Sequence, residues 1–477
     1  MLKSWVSRIS TVSLMASKHS VHPKELPRLF SPPVNRQMKE LDRAFFQRDV
    51  PLVLANIQDP SYFTVLGKQA KEDLLQLQGV SRVVGTSSEK GVLLKHDIST
   101  VDQIDEKVSP STLELFKQAG VTYQPYTLKL NYDYWRAEEI LAAILPEELL
   151  DEVPCGFTVV GHIAHMNIRD YYLPYKTLIG QVVLDKNPMI KTVVNKIDNI
   201  GTVFRTFEME VLAGEPDFEV EQSESGCRFR FDFDKVYWNS RLHTEHDRLI
   251  QKFDRGQAVC DVFAGVGPFA IPAAKKGVIV FANDLNPESY KSLVGNIELN
   301  KVQNFAYPYN EDGRAFISNA VKYLSEFQTV HPQLEMPPKR ISRSNPKPKE
   351  MIPVPKFYSH FVMNLPDTAL EFLDAFVGMY QDPELRQRIF DCDDIPEEKL
   401  PTVHCHCFFK FSPHEEREPT DEEVYESLRT TVSDKLGCKL NDKDLSFHNV
   451  RKVAPTKTMY CVSIKLPKEV VLAVNVK

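Results

Sequence analysis

Asp261, Gly265, Gly267 and Asp284 lie within one short stretch, CDVFAGVGPFAIPAAKKGVIVFANDLNP (260–287), and together they could hold a cofactor. Two carboxylates flank a glycine turn. Glycine lets a backbone approach a ligand where a Cβ would collide with it. A carboxylate ending the second strand can hold both hydroxyls of a ribose. The pattern suits an adenosine-containing molecule. Glycine spacing does not choose which one, because Gly265, Gly267 and Ala270 with an acid about 20 residues on also fit a dinucleotide. Asp261 favours a choice. At the junction of strand and loop its carboxylate would repel a pyrophosphate. S-adenosylmethionine carries a sulfonium and an ammonium and no phosphate, so it suits that carboxylate. A nicotinamide cofactor stays as the weaker alternative.

These residues need a strand at 258–263, a glycine turn, a helix and a second strand at 278–282 to hold them. The rest of 256–477 supplies further strands: FVMNL at 361–365, which runs into Asn364-Leu365-Pro366, then TVHCHCFF, and a final pair around FHNVRKVAP and MYCVSIKL. An antiparallel pair closing a parallel sheet is an ending typical of methyltransferases, not of dehydrogenases. Residues 331–355 are proline-rich and basic and read as a solvated insertion. Before this domain, 158–255 reads as a mainly antiparallel α+β region. Its strands are FTVVGHIAHMNI, LIGQVVLDK, KTVVNKI, FRTFEMEVLAG and CRFRFDFDKVYW. A helix follows at LHTEHDRLIQKF, with Thr244 as its N-cap. Residues 37–157 form an accessory α/β domain, with a helix near 68–77, strands at 80–84 and 92–96 and a helix near 137–150. Residues 1–36 are leader and linker.

The chain has 477 residues, 42% hydrophobic and 26% charged, with a formal net charge of −7. No run of 18 apolar residues exists, so no transmembrane helix is expected. The eight cysteines are scattered and suit buried thiols in a reducing compartment. Cys405-His406-Cys407 suggests a metal, but strand alternation would turn His406 away from both cysteines, and no second cluster completes a ligand set. The leader carries Lys3, Arg8, Lys18 and Lys24 and no acid before Glu25. It resembles a mitochondrial presequence. Met15 offers a second start, so mitochondrial matrix, cytoplasm and nucleus are the compartments expected.

Six strings occur in order: GHIAHMNIR, FRTFEMEVLAGE, KVYWNSRLHTEH, DVFAGVGPFAIPAAKKG, FANDLNPES and MNLP. Over about 160–477 they closely resemble the eukaryotic and archaeal tRNA (guanine(37)-N1)-methyltransferases, which modify the guanine just 3′ of the anticodon. The resemblance implies a class I, Rossmann-like S-adenosylmethionine fold and tRNA as partner. It implies Glu245 as general base, Arg205 steadying charge on guanine O6, and Tyr237 near cofactor and target base. His246, Asp284 and Leu285, Asp312 and Gly313 would contact the cofactor, and Asn364 the methyl-transfer end. A departure is visible at Ser240 and His243, where the family has proline and serine, and it bears on how Glu245 is positioned. We expect a monomer with no membrane association.

The chemistry asks for the same residue types. Guanine N1 must lose its proton as the methyl arrives, and charge spreads to O6, so a carboxylate and a cationic donor form the minimal set. An arginine nearby would lower the pKa of Glu245 and burial would raise it. The target base must leave its stack to be reached. Viewed singly, Glu245 is an exposed acid in a first helical turn, and His162 and His165 are structural. Tyr237 and Trp238 suit core and base-stacking roles equally. Methylation of another guanine atom and an inactive RNA-binding scaffold remain as alternatives.

Overall fold

The computed structural model describes residues 28–85, 90–197, 204, 208–336, 350–391, 395–412 and 417–474. The presequence-like leader and Arg205 lie outside the described residues. The chain divides into two compact units, one of Met1–Gly156 with Ile168–Pro188, the other of Phe157–Asn167 with Met189–Lys477.

In the first unit, strands β1 (Arg48–Ile57), β2 (Val83–Gly85), β3 (Lys90–Leu93) and β4 (Thr122–Leu130) form an antiparallel sheet of order β2-β3-β1-β4. The helices are α1 (Tyr62–Gln69), the single turn α2 (Ile104–Lys107), α3 (Pro110–Gln118), α4 (Ala137–Ile144) and α5 (Lys176–Lys186). Leu66, Ala70, Leu74 and Phe116 close a core against Val53, Ala55 and Val92. The helix expected near 68–77 is displaced. It ends at Gln69, and Leu74 instead bridges to Leu94. The expected strand LIGQVVLDK is α5. Leu178, Ile179, Val182 and Val183 are its buried apolar side chains. Their one-and-four spacing is helical, and β-branched content masked it.

The second unit carries a mixed four-stranded sheet of β5 (Thr158–Val160), β6 (Ile163–Met166), β7 (Thr192–Lys196) and β8 (Met209–Gly214). It is less antiparallel than expected, because β6 and β7 pair in parallel. β9 (Glu219–Glu224) and β10 (Cys227–Asp232) form a hairpin whose alternation buries Cys227, Phe229 and Phe231 and exposes Arg228 and Arg230. Helix α6 (His243–Lys252) leads into a seven-stranded sheet of β11 (Ala258–Asp261), β12 (Ile279–Asn283), β13 (Ala306–Tyr309), β16 (Tyr358–Met363), β17 (Thr402–Lys410), β18 (Leu445–Ala454) and β19 (Lys457–Lys465). Before β16, β14 (Gln333–Met336) and β15 (Glu350–Pro353) pair as a hairpin at the ends of the basic insertion. The middle of that insertion, 337–349, lies outside the described residues.

Sheet order is β13-β12-β11-β16-β17-β19-β18. The first five strands run parallel and β19 is antiparallel to both neighbours. This is the closing pair expected from the sequence. Strand order reverses between β11 and β16. Such a switch point opens a crevice outside the carboxyl ends of the strands. Helices α7 (Ala270–Lys276), α8 (Pro287–Leu299), α9 (Gly313–Val330), α10 (Pro383–Phe390) and α11 (Asp421–Leu436) accompany the sheet. β11 and β12 are buried on both faces, as parallel strands covered by helices must be. Among the described residues no helix is long and apolar enough to cross a membrane.

Candidate active site

Asp261 ends β11, fully buried, and neither of its oxygens meets a well-formed hydrogen-bond donor among the described residues. Burial pushes its carboxyl up, Asp284 adds to the shift and His406 opposes it, to about 8. The next strand over, β16, ends at Met363. Asn364 follows, and its Oδ1 is also buried without a partner among the described residues. Two acceptors at the carboxyl edge of adjacent strands thus lack a well-formed donor among the described residues, the Phe263 N–H giving Asp261 only partial relief. Between β11 and α7, Gly265 (φ +55°) has open space where its Cβ would be. Gly267 (φ +99°) is instead crowded: a Cβ there would stand 2.7 Å from Ile271 Cδ1. An L side chain is strained at both angles.

Asp284 is fixed by the glycine turn. Its Oδ2 accepts the Gly265 N–H at 2.8 Å and its Oδ1 the Asn286 N–H at 2.9 Å. Burial raises its pKa, and those two N–H groups oppose the rise. Leu285 is exposed beside it. Asp312 caps α9, its Oδ1 accepting from Arg314 N–H at 2.9 Å. Gly313 follows, so tight against Phe263 that a Cβ would meet the ring at 2.7 Å. Sequence reading overlooked the residues that hold this rim. Buried Asn283 accepts from Glu311 N–H at 2.8 Å and donates to Val262 and Glu311 carbonyls, while Asn310 donates to the carbonyls of Asp284 and Leu285. These fit S-adenosylmethionine: orphaned acceptors for its cationic end, open backbone at Gly265, and the Asp284–Leu285 and Asp312–Gly313 pairs for its nucleoside.

Helix α6 brings the second half of the site. Leu242, Leu249 and Phe253 are buried at helical spacing, and Glu245 and His246 fall on the same stripe. Glu245 is therefore not the exposed acid its isolated position suggests. It is 2% exposed. Arg248 grips it as a fork, Nε to Oε2 at 2.6 Å and Nη2 to Oε1 at 2.7 Å. His406 Nε2 lies 2.8 Å from Oε1, and His448 Nε2 3.5 Å from Oε2. Burial raises the pKa of Glu245, and the Arg248 and His406 hydrogen bonds outweigh it, leaving the group near about 2. Glu245, His406 and Cys461 bring donor atoms within 4.8 Å of one another. Here the Arg248 guanidinium already occupies both carboxylate oxygens, and the group is a hydrogen-bonded charge cluster. Arg248 was legible as an i,i+3 partner of Glu245. His406 was not, because 161 residues separate the pair.

Thr244 is exposed in the first turn and is not the cap. The preceding turn, Ser240–Leu242, is capped by Asn239, whose Oδ1 accepts the Arg241 N–H at 3.1 Å. The two departures from the family pattern meet each other there, His243 Nδ1 donating to the Ser240 carbonyl at 3.0 Å. His246 is buried, its Nδ1 against Glu224 Oε1 and its ring 4.6 Å from Phe269. Tyr237 is 42% exposed, whereas Trp238 is buried and stacked at 5.0 Å on Phe231. His165 packs edge-on to Phe233, and His162 Nε2 donates to the Asp217 carbonyl at 3.1 Å.

Residues 137–217 match the family model of the TYW2 N-terminal domain, and 220–326 that of the TRM5/TYW2 methyltransferase domain. A Candida albicans tRNA (guanine(37)-N(1))-methyltransferase is 49% identical over 453 residues, covering 92% of this chain and 98% of its own. The chain belongs to that family. The enzyme of the same name from Schizosaccharomyces pombe is 49% identical, covering 91% of this chain and 96% of its own. That from Saccharomyces cerevisiae is 43% identical, covering 92% and 95%. Among solved structures, Trm5b from Pyrococcus abyssi matches with a TM-score of 0.52 at 22% identity, over 86% of this chain and 98% of that one. The aTrm5 solved in complex with tRNALeu matches with a TM-score of 0.57 at 19% identity, over 87% of this chain and 100% of that one. These two likenesses show the fold. The family match shows a class I methyltransferase enzyme, with S-adenosylmethionine as its cofactor.

Proposed function

We propose that this protein is a tRNA (guanine(37)-N1)-methyltransferase in which Glu245 is the general base. The observation that carries the reading is the docking of Glu245 on His406. In register, Asp261, Val362 and His404 form one row, and Met363 and Cys405 the next. His406 lies one residue further along β17, as Asn364 lies one beyond β16, so the buried carboxylate meets the sheet at its ligand-binding edge.

When bound, S-adenosylmethionine supplies a methyl group on a positively charged sulfur. Asp261 and Asn364, with buried acceptors at the ends of adjacent strands, would meet that end, and Asp284 and Asp312 would hold the nucleoside. Glu245 takes the N1 proton. A carboxyl group with a pKa near 2 is a weak base toward neutral guanine. N1 becomes strongly acidic as it gains a fourth bond, so the proton moves with or after the methyl, when even a weak base suffices. Arg205, by its resemblance, and exposed Tyr237 would serve O6 and the ring face. The accessory region 37–157 and the sheet of 158–255 would grip the tRNA body.

The deciding experiment is single-turnover transfer of labelled methyl to an unmodified tRNA transcript, with the modified nucleotide mapped. Glu245→Gln should leave tRNA binding within about threefold and lower the rate by ~100-fold or more. Methyl on another guanine atom, or equal loss of binding and rate, would overturn the assignment.

A further inference from the structure

The histidine of Cys405-His406-Cys407 touches the base, yet nothing in the reaction above uses it. We propose that His406 is a positioning residue for methyl transfer, tying the carboxylate of Glu245 to the strand ends that hold the cofactor. The proposal rests on Glu245 acting as the base.

The argument starts from register. His406 is paired with Cys461 across β17 and β19, and Cys461 with His448 across β19 and β18. Residues directly opposite one another share a face of a sheet. The three side chains therefore form a row under α6, with His406 Nε2 2.8 Å from Glu245 Oε1 and His448 Nε2 3.5 Å from Oε2. A carboxylate only accepts, so His406 Nε2 carries the proton and donates.

Arg248 and His406 do different jobs. Arg248 sits three residues after Glu245 on the same helix, so it fixes the glutamate rotamer but moves wherever α6 moves. His406 is the hydrogen bond that runs from the sheet to the base. It comes from the strand paired with β16, the strand that runs into Asn364. Transfer demands that base, purine and methyl be aligned to a fraction of an ångström, and a bond from a central strand meets that demand. The ring is itself held. It is fully buried and 5.9 Å from Phe269, which packs on His246.

A further sign of function is what His406 leaves unmade. Its Nδ1 is buried with no hydrogen-bond partner among the described residues. Burying a polar atom unpaired costs stability. A leucine here would not carry that cost.

Glu245 is faced by Arg248 from its own helix, His406 from β17, His448 from β18 and Cys461 from β19. His406 also feels Asp261 and His404. Of these, His406 and Arg248 make the hydrogen bonds that favour the ionised carboxylate.

The test compares H406L, H406Q and H406N in the full-length protein with saturating S-adenosylmethionine and unmodified tRNA transcript. H406L should lower the single-turnover rate ~10–100-fold. Affinities for tRNA and S-adenosylmethionine should stay within about threefold, and the melting temperature should fall only modestly, because Arg248 still holds both oxygens of the buried carboxylate that loses the imidazole. The acid limb of its rate–pH profile should move to higher pH, because a carboxylate that loses a donor holds its proton more tightly. H406Q, whose amide nitrogen reaches the place of Nε2, should recover most of the rate. H406N, one bond shorter, should not. An H406L rate and profile like the wild type overturn the proposal. So does a rate loss matched by loss of binding or by unfolding at the assay temperature, or a glutamine no better than leucine. E245Q separates the two readings. If E245Q transfers methyl normally, the base assignment falls. If E245Q is inactive while H406L is not, only the positioning role falls.

Discussion

Glu245 and Asp261 are both buried carboxylates in one unit, and they titrate in opposite directions. Glu245 has an arginine fork and an imidazole donor, which outweigh burial and bring it to about 2. Asp261 has no such donors, so burial and the nearby Asp284 push it to about 8. One carboxylate has cationic partners in contact, and the other has none. The sign of the consequence follows. Below about pH 8 the unliganded Asp261 carboxyl holds a proton, which it must release to meet a sulfonium or ammonium. Affinity for S-adenosylmethionine should therefore rise with pH up to about 8 and level off, by up to about tenfold per unit on the rising limb. Asp261→Asn should bind weakly without that component, and calorimetric titration of both proteins across pH cancels the ligand's own ionisation. Parallel profiles would show that Asp261 does not face the charge.

At the scale of elements, the β11–α7 turn separates two uses of glycine. Gly265 and Gly267 both have positive φ, but only Gly267 is crowded, by Ile271 and Leu293. Gly267→Ala should cost the backbone strain of about 1–2 kcal/mol plus a packing penalty of about 1–3 kcal/mol. Gly265→Ala should cost the strain alone. Calorimetric melting tests the ranking. Equal losses would mean that packing around the turn adapts. Loss of S-adenosylmethionine binding in the Gly265 variant, out of proportion to its stability, would mark the open side as the one the ligand approaches. Helix α6 shows how an element carries a polar residue into the interior. Its buried stripe of Leu242, Leu249 and Phe253 carries Glu245 inward, so the acid is held by packing that it does not itself supply.

At the scale of the molecule, a net charge of −7 sets an anionic chain against an anionic RNA. Binding then depends on local Lys and Arg surfaces and on release of counterions from the RNA. The affinity for tRNA should fall on the order of tenfold or more between 50 mM and 200 mM salt, with the S-adenosylmethionine affinity little changed. Filter binding at a series of salt concentrations checks it, and a flat tRNA series would remove electrostatic grip as the source of affinity. The units themselves divide unevenly along the chain, since 168–188 belongs to the first unit while the residues on either side belong to the second.

The grouping of Asp261, Gly265, Gly267 and Asp284 around one turn was readable from sequence because one short segment carries them. They fall on consecutive elements, and local φ requirements and strand-end positions fix their places. The antiparallel closing pair was readable for the same reason, from two alternating runs joined by a short turn. The α5 helix was not, since its apolar residues satisfy strand propensity and helical period alike. The setting of Glu245 was not readable either. The burial of that carboxylate depends on strands more than 160 residues along the chain, and its proton affinity on His406 there as well as on Arg248 beside it. Spacing along a sequence specifies local backbone geometry. Electrostatic environment sums over whatever the fold packs nearby, and only the register of β17, β19 and β18 determined which groups those are.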